Sequence, residues 1–97
     1  MTIKKINLSK VDDFLKEIIE GATQIEAFKE ETEDIDRSID NSETNFKVGK
    51  ISNEIYKDIK IALEKEKKLL ENRINLEKNR ILTASKELSK IIVVNKI

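Results

Sequence analysis

Carboxylate side chains recur at helical spacing in one stretch of this chain, at Glu30, Glu33, Asp34 and Asp40. Residues three or four positions apart lie on one face of an α-helix, so these oxygens could in principle bind a hard cation such as Ca²⁺ or Mg²⁺. No EF-hand loop pattern and no Glu-x-x-His motif accompanies them. We therefore predict a solvated face crossed by salt bridges, with no metal and no other cofactor.

Catalytic groups of the common kinds are missing from the sequence. The 97 residues include no His and no Cys, and the two Gly residues do not form a Gly-rich phosphate-binding loop. An enzyme needs a nucleophile beside a base, or carboxylates held in a concave pocket. We predict a non-enzymatic protein without catalytic or cofactor-binding residues.

Opposite charges are concentrated in the two halves of the chain. Residues 1–49 carry 7 basic and 12 acidic side chains, and residues 50–97 carry 12 basic and 7 acidic ones. We expect the two halves to attract and largely neutralise each other. A nucleic-acid interface on the second half is the alternative. Its basic residues are Lys57, Lys60, Lys65, Lys67, Lys68, Arg73, Lys78 and Arg80.

Apolar residues of the first half pair with those of the second half at an index sum of 98 or 99. This symmetry predicts an all-α fold, a long antiparallel two-helix hairpin resembling a coiled coil. The absence of Pro and the 39% content of charged residues also favour long solvated helices. The pairs are Val11 with Leu88, Ile18 with Ile81, Ile25 with Ile74, Phe14 with Ala84, Phe28 with Leu70, Ile35 with Leu63 and Ile39 with Ile59.

Local signals place the element boundaries within a single domain, 1–97. We predict Ser9 as the N-cap of helix 1, with Asp12 and Asp13 in its first turn, and Ser52 as the N-cap of helix 2. Gly49 is suited to a left-handed helix C-cap. The predicted elements are an extended N-terminal arm (1–8), helix 1 (9–48), a turn (49–52), helix 2 (53–92) and a tail (93–97).

The sequence leaves two local alternatives to these element boundaries open. Residues 40–45 have poor helix propensity, so a break there would give a three-helix arrangement. Residues 2–8 and 91–97 leave the same end of the hairpin and could pair as a short antiparallel β-ribbon. The competing prediction is that helix 2 continues through Val94.

The paired apolar residues form the seam, the line along which the two helices contact each other. A second set of apolar residues lies outside this seam, mostly toward the end of the hairpin that carries both termini. A lone hairpin would leave this surface exposed, and large exposed apolar patches usually mark an interface. We therefore expect self-association, most simply two hairpins forming a four-helix bundle, or binding of a helical protein partner. The predicted interface residues are Leu15, Ile19, Ala22, Leu69, Leu76, Leu82, Ile3, Ile6, Val93 and Val94.

Targeting signals are not evident in the sequence. The longest apolar run, residues 91–94, is far shorter than the roughly 20 residues of a membrane span, and the N-terminus lacks the apolar core of a Sec-type signal. The lack of Cys is compatible with a reducing compartment. We predict a cytoplasmic protein without a membrane span.

Residues 49–60 resemble a turn of known helical proteins. The segment from Gly49 to Tyr56, followed by Ile59 and Lys60, looks like the Gly-x-Ile-Ser/Thr-x-Glu-x-aromatic turn of SHOCT-type domains and archaeal coiled-coil proteins. The resemblance implies oligomerisation or partner docking.

A second resemblance is one of architecture. A chain of this length with a mid-chain turn is similar to the WXG100-type hairpins of type VII secretion, which implies a role as a secretion partner. This chain departs from that pattern, because it has no Trp and Lys47 stands where the motif requires one. Taken together, the sequence predicts a structural or adaptor hairpin for oligomerisation or protein–protein interaction, with a secretion partner as the alternative and nucleic-acid binding as a further one.

Overall fold

The chain folds as a helical hairpin. The computed structural model describes the backbone of residues 8–94 and the side chains of residues 8–91. Two helices account for nearly all of this part, α1 over Leu8–Lys47 and α2 over Asn53–Val94, and it contains no strand. The predicted all-α two-helix fold is confirmed. Neither helix, within the described residues, has an apolar stretch of the length that crosses a membrane.

At the ends of the chain, the helix boundaries differ slightly from the predicted ones. Ser9 lies inside α1, and the first turn of this helix contains no acidic residue, so Ser9 is not its N-cap. At the other end, α2 begins at Asn53 as predicted and continues through Val94. Residues 91–94 are therefore helical where the β-ribbon alternative requires a strand. The rest of that predicted ribbon lies outside the described residues, apart from Leu8, which is also helical.

Helix α1 is continuous through residues 40–45, so the alternative with a break there is wrong. Hydroxyl groups in this stretch bind inside the helix instead of capping a break. Ser42 Oγ donates to the Ser38 carbonyl at 2.9 Å, and Thr44 Oγ1 donates to the Asp40 carbonyl at 3.1 Å. Such bonds to the carbonyl four residues earlier let Ser and Thr occupy a helix interior despite their low propensity.

A Schellman motif ends α1. Gly49 takes φ +79°, a conformation that glycine adopts without the clash of a Cβ atom. Its N–H donates to the Phe46 carbonyl at 3.0 Å, and the N–H of Lys50 donates to the Asn45 carbonyl at 2.9 Å. Two of the four carbonyls that a helix end leaves without an intrahelical partner are thereby satisfied. The predicted role of Gly49 is confirmed.

Ser52 caps α2. Its Oγ accepts a hydrogen bond from the Ile55 N–H at 3.2 Å, and its carbonyl accepts the first helical bond from the Tyr56 N–H at 2.9 Å. Next to the turn, the rings of Phe46 and Tyr56 stack with centroids 5.1 Å apart and planes inclined by 4°. Cap and stack together bring the two helices into antiparallel contact directly after the turn.

Two compact units divide the hairpin, and each contains part of both helices. The first comprises Met1–Ile25 and Asn75–Ile97, and the second comprises Glu26–Ile74 with the turn. Ile25 and Ala84 are the buried hydrophobic residues of the first unit, and Ile35 and Leu70 are those of the second. The predicted seam positions thus supply the core, although no large side chain of the described residues is fully buried.

One predicted seam residue is displaced by its neighbour. Ile55 is 50% exposed, whereas Tyr56 is half-buried against Phe46. The contacts across the seam include the predicted index sum, since Gly21 lies against Glu77 at a sum of 98, and also a sum of 102, since Gly21 lies against Ile81 and Phe46 against Tyr56. In an antiparallel pair of helices a seam residue packs between facing residues one helical turn apart, so both sums belong to one register.

Candidate protein interface

The contact between Gly21 and Ile81 defines the two sides of the seam in the first unit. Ile81 packs so closely on Gly21 that a Cβ atom there would lie 2.7 Å from Ile81 Cγ1. In the first unit the seam positions are Val11, Phe14, Ile18, Gly21 and Ile25 on α1 and Glu77, Ile81, Ala84, Leu88 and Ile91 on α2. Because the helices are antiparallel, the residues that precede these positions turn to one side of the hairpin, and those that follow them turn to the other. The chemistry of these two sides is different.

The preceding side carries a cluster of charges around one arginine. Glu20 precedes Gly21, Arg80 precedes Ile81, and Arg80 Nη2 lies 3.0 Å from Glu20 Oε2. Two further carboxylates surround the guanidinium, Glu77 at 3.5 Å and Glu17 at 4.0 Å. The hydrogen bond to Glu20, opposed by a smaller desolvation effect and supported by the other two carboxylates, raises the pKa of Arg80. We call this side the Arg80 side.

The following side is apolar. Leu15, Ile19, Ala22 and Leu82 each follow a seam residue, and Leu8 lies one heptad before Leu15. Their side chains are open to solvent, with Ile19 64% exposed, Leu82 54% and Leu15 41%. We call the surface formed by Leu8, Leu15, Ile19, Ala22 and Leu82 the Leu15 face.

Few charges interrupt the Leu15 face. Among the described residues that follow seam positions of the first unit, only Asp12 and Lys78 are ionised, and their charges are opposite. Acidic Glu17 and Glu20 turn to the Arg80 side, where they contact Arg80. The Leu15 face is thus an exposed apolar surface with almost no net charge, the type of surface that proteins use to bind one another.

The residues predicted as one interface do not share one surface. Leu15, Ile19, Ala22 and Leu82 lie together on the Leu15 face. Leu76 precedes the seam residue Glu77, so this leucine, 68% exposed, lies on the Arg80 side. Three groups of predicted residues remain: Leu69, 58% exposed, belongs to the second unit, Ile3 and Ile6 lie outside the described residues, and Val93 and Val94 are helical with side chains outside the described part.

An open groove of about 590 Å³ lies on the Arg80 side. Phe14 and Ile91 supply its apolar lining, and charged side chains supply most of the remainder. The sequence offered no signal for this groove, because its volume depends on how closely the side chains of the two helices approach each other. Its lining residues are Lys10, Asp13, Phe14, Lys16, Glu17, Glu20, Glu87 and Ile91.

In the acidic stretch of α1, two aspartates contact basic residues. Asp36 accepts a hydrogen bond from Lys67 Nζ at 2.8 Å, and Asp34 pairs with Arg37 within the helix. Chiefly through that hydrogen bond, Asp36 raises the pKa of Lys67. In the part of the chain that the structure describes, no three acidic side chains converge in a way that would hold a metal ion.

Comparison with family models, with curated proteins and with solved structures gave no match for this chain. The functional evidence is therefore the geometry of its own residues. The feature of that geometry most indicative of function is the Leu15 face, where large apolar side chains of both helices are exposed on the same side of the hairpin.

Proposed function

We propose that this protein is a non-enzymatic structural module that self-associates through the Leu15 face. The observation that carries the proposal is the exposure of Leu15, Ile19 and Leu82 on one side of the first unit, beside a single acidic and a single basic residue. Contact with a second copy removes these side chains from water. Full burial of a Leu or Ile side chain is worth about 1.5–3 kcal/mol.

The small core of the hairpin supports the same proposal. Ile25, Ile35, Leu70 and Ala84 are the only buried hydrophobic residues among those the structure describes. Long helices depend on tertiary packing for most of their stability, and small domains with little core commonly gain it by oligomerisation. A second copy is a partner that is available wherever the chain is made.

Net charge does not oppose such an association. The described side chains of the first unit, residues 8–25 and 75–91, comprise six basic and six acidic groups. Two copies therefore meet through this unit without overall repulsion. Because the Leu15 face itself is apolar, the association is expected to persist at high salt, where surface ion pairs are screened.

Light scattering coupled to size exclusion tests the proposal. We expect the wild-type chain to have twice the monomer mass at both low and high salt. The double variant Leu15→Glu/Ile19→Glu places four carboxylates in the two-copy contact, and its dissociation constant should rise at least about 100-fold. The control is Leu76→Glu, which substitutes a leucine on the Arg80 side that is 68% exposed, and this variant should remain dimeric.

Circular dichroism distinguishes dissociation from unfolding in these variants. The double variant is expected to retain helix at concentrations where it is monomeric, since its substituted side chains are exposed. A wild-type monomer would contradict self-association and point to a different protein as the partner. A double variant that remains dimeric would contradict the placement of the interface on the Leu15 face.

A further inference from the structure

We infer that Lys67 is a specificity residue that restricts the second unit to two helices. Its side chain lies in the seam between α1 and α2, where it keeps the seam of this unit from being covered by further helices in a larger bundle. The inference concerns the second unit alone, so it goes beyond the proposed self-association through the Leu15 face and does not depend on it.

Lys67 occupies a seam position of α2. In the second unit, the described side chains of this helix that are buried or half-buried recur every three or four residues, and Lys67 is the only charged one among them. The set comprises Tyr56, Ile59, Leu63, Lys67, Leu70 and Ile74. The positions one, two and three heptads after Lys67 are all apolar, namely Ile74, Ile81 and Leu88. A lysine thus stands where the repeat of α2 otherwise places an apolar residue.

Burial distinguishes Lys67 from the other lysines. Its side chain is 33% exposed, and the residue is half-buried, whereas every other lysine within residues 8–91 is exposed. Lys67 therefore does not belong to the solvated surface of the hairpin. A lysine can occupy a seam because its methylene stem covers apolar surface while its ammonium group reaches water at the edge.

Asp36 holds the ammonium group of Lys67 at the edge of the seam. The Nζ atom donates a hydrogen bond to Asp36 Oδ1 at 2.8 Å, and the aspartate side chain is 51% exposed. Asp36 directly follows Ile35, a buried hydrophobic residue of α1. The charge of Lys67 is therefore paired between the two helices at a place that water still reaches.

The number of helices decides whether such a lysine is accommodated. Between two helices the seam is open to water along its edges, and a long side chain can reach that water. In a bundle of more helices the seam positions point into the interior, where an ammonium group is costly to bury. Pairing with Asp36 does not remove this cost, because a buried ion pair is often no better than apolar residues of similar volume. A single Asn or Lys at a seam position fixes the number of helices in coiled coils in this way.

Substitution of Lys67 by Leu tests the inference. Leu completes the apolar repeat, so Lys67→Leu should unfold at a higher urea concentration than the wild type and have at least about twice the wild-type mass in light scattering coupled to size exclusion. The matched control is Lys68→Leu, which makes the same change at the neighbouring, exposed lysine and should keep the wild-type mass. Lys67→Arg, which retains the charge, should also keep the wild-type mass.

The comparison with wild-type mass applies whether the wild type is a monomer or a dimer. The gain in mass should persist in the Leu15→Glu/Ile19→Glu background, because those two residues belong to the first unit. An unchanged mass of Lys67→Leu would overturn the inference and leave the proposed self-association intact. An equal gain in Lys68→Leu would also overturn it, since any added apolar side chain would then have the same effect. Circular dichroism of the larger species should show retained helix, and a gain in mass with loss of helix would count against the inference.

Discussion

Ile81 occupies the space that a side chain at Gly21 would need. A Cβ atom at Gly21 would lie 2.7 Å from Ile81 Cγ1, 3.1 Å from Ile81 Cδ1 and 3.3 Å from Glu77 Oε2. The glycine therefore admits a large residue of α2 to the seam of the first unit. Ala22 and Leu82, which follow the two residues in contact, turn to the Leu15 face, and Glu20 and Arg80, which precede them, turn to the Arg80 side.

Replacement of Gly21 by Ala should lower the free energy of unfolding by about 1 kcal/mol. Ala is the better helix former by about 1 kcal/mol, but overpacking of a filled site costs about 1–3 kcal/mol. Urea denaturation measures the difference. In an Ile81→Ala background the two closest atoms are absent and only the flexible end of Glu77 remains near, so Gly21→Ala should become stabilising by about 1 kcal/mol. The same sign in both backgrounds would refute a steric role for Ile81.

Gly49 should be sensitive to substitution for a different reason. Its φ of +79° is strained for any residue with a Cβ atom, although no atom lies within 4 Å of the position of that Cβ. Gly49→Ala is expected to cost about 1 kcal/mol of unfolding free energy, and Gly49→Asn less, because Asn tolerates the left-handed region. Lys50→Ala, which keeps the backbone hydrogen bond to Asn45, is the control in the same denaturation assay.

Reversal of charge at Arg80 should destabilise the first unit in a salt-dependent way. Arg80→Glu would bring a fourth carboxylate to Glu17, Glu20 and Glu77. We expect a lower Tm at low salt, with the difference from wild type narrowing at high salt as the repulsion is screened. The double variant Arg80→Glu/Glu20→Arg should recover part of the loss. Lys86→Glu makes the same charge change at an exposed position and should have a smaller effect.

The Asp36–Lys67 pair should stabilise the folded protein, and this contribution should disappear at alkaline pH. The folded protein holds the pKa of Lys67 above its ordinary value of 10.5, chiefly through the hydrogen bond to Asp36. A raised pKa means that the pair stabilises the fold fully below that ordinary value, and that the contribution is lost as the pH rises through the folded pKa. The Tm difference between wild type and Asp36→Asn should be constant from about pH 7 to 9 and shrink above about pH 10. A difference that stays constant to about pH 12 would contradict the pairing.

The sequence by itself determined the fold class and the turn. The seven-residue repeat of apolar positions predicts two long helices, and Gly49 and Ser52 predict the caps that the structure contains. These features depend on a residue and its near neighbours in the chain, so they can be derived without knowledge of the packing. The continuity of α1 through Ser42 and Thr44 was harder to foresee, because their hydroxyls can bind either within a helix or outside it.

Side-chain contacts and exposure were decided only by the tertiary structure. The apolar repeat predicts which turns of the two helices face each other, but not that Ile81 packs onto Gly21, or that Tyr56 and not Ile55 enters the seam. Leu76 and Leu15 lie beside the same seam, on opposite sides of it, and the structure leaves both of them exposed. How closely two side chains approach, and how much of each stays open to water, depends on the fit of one helix to the other and not on spacing along the chain.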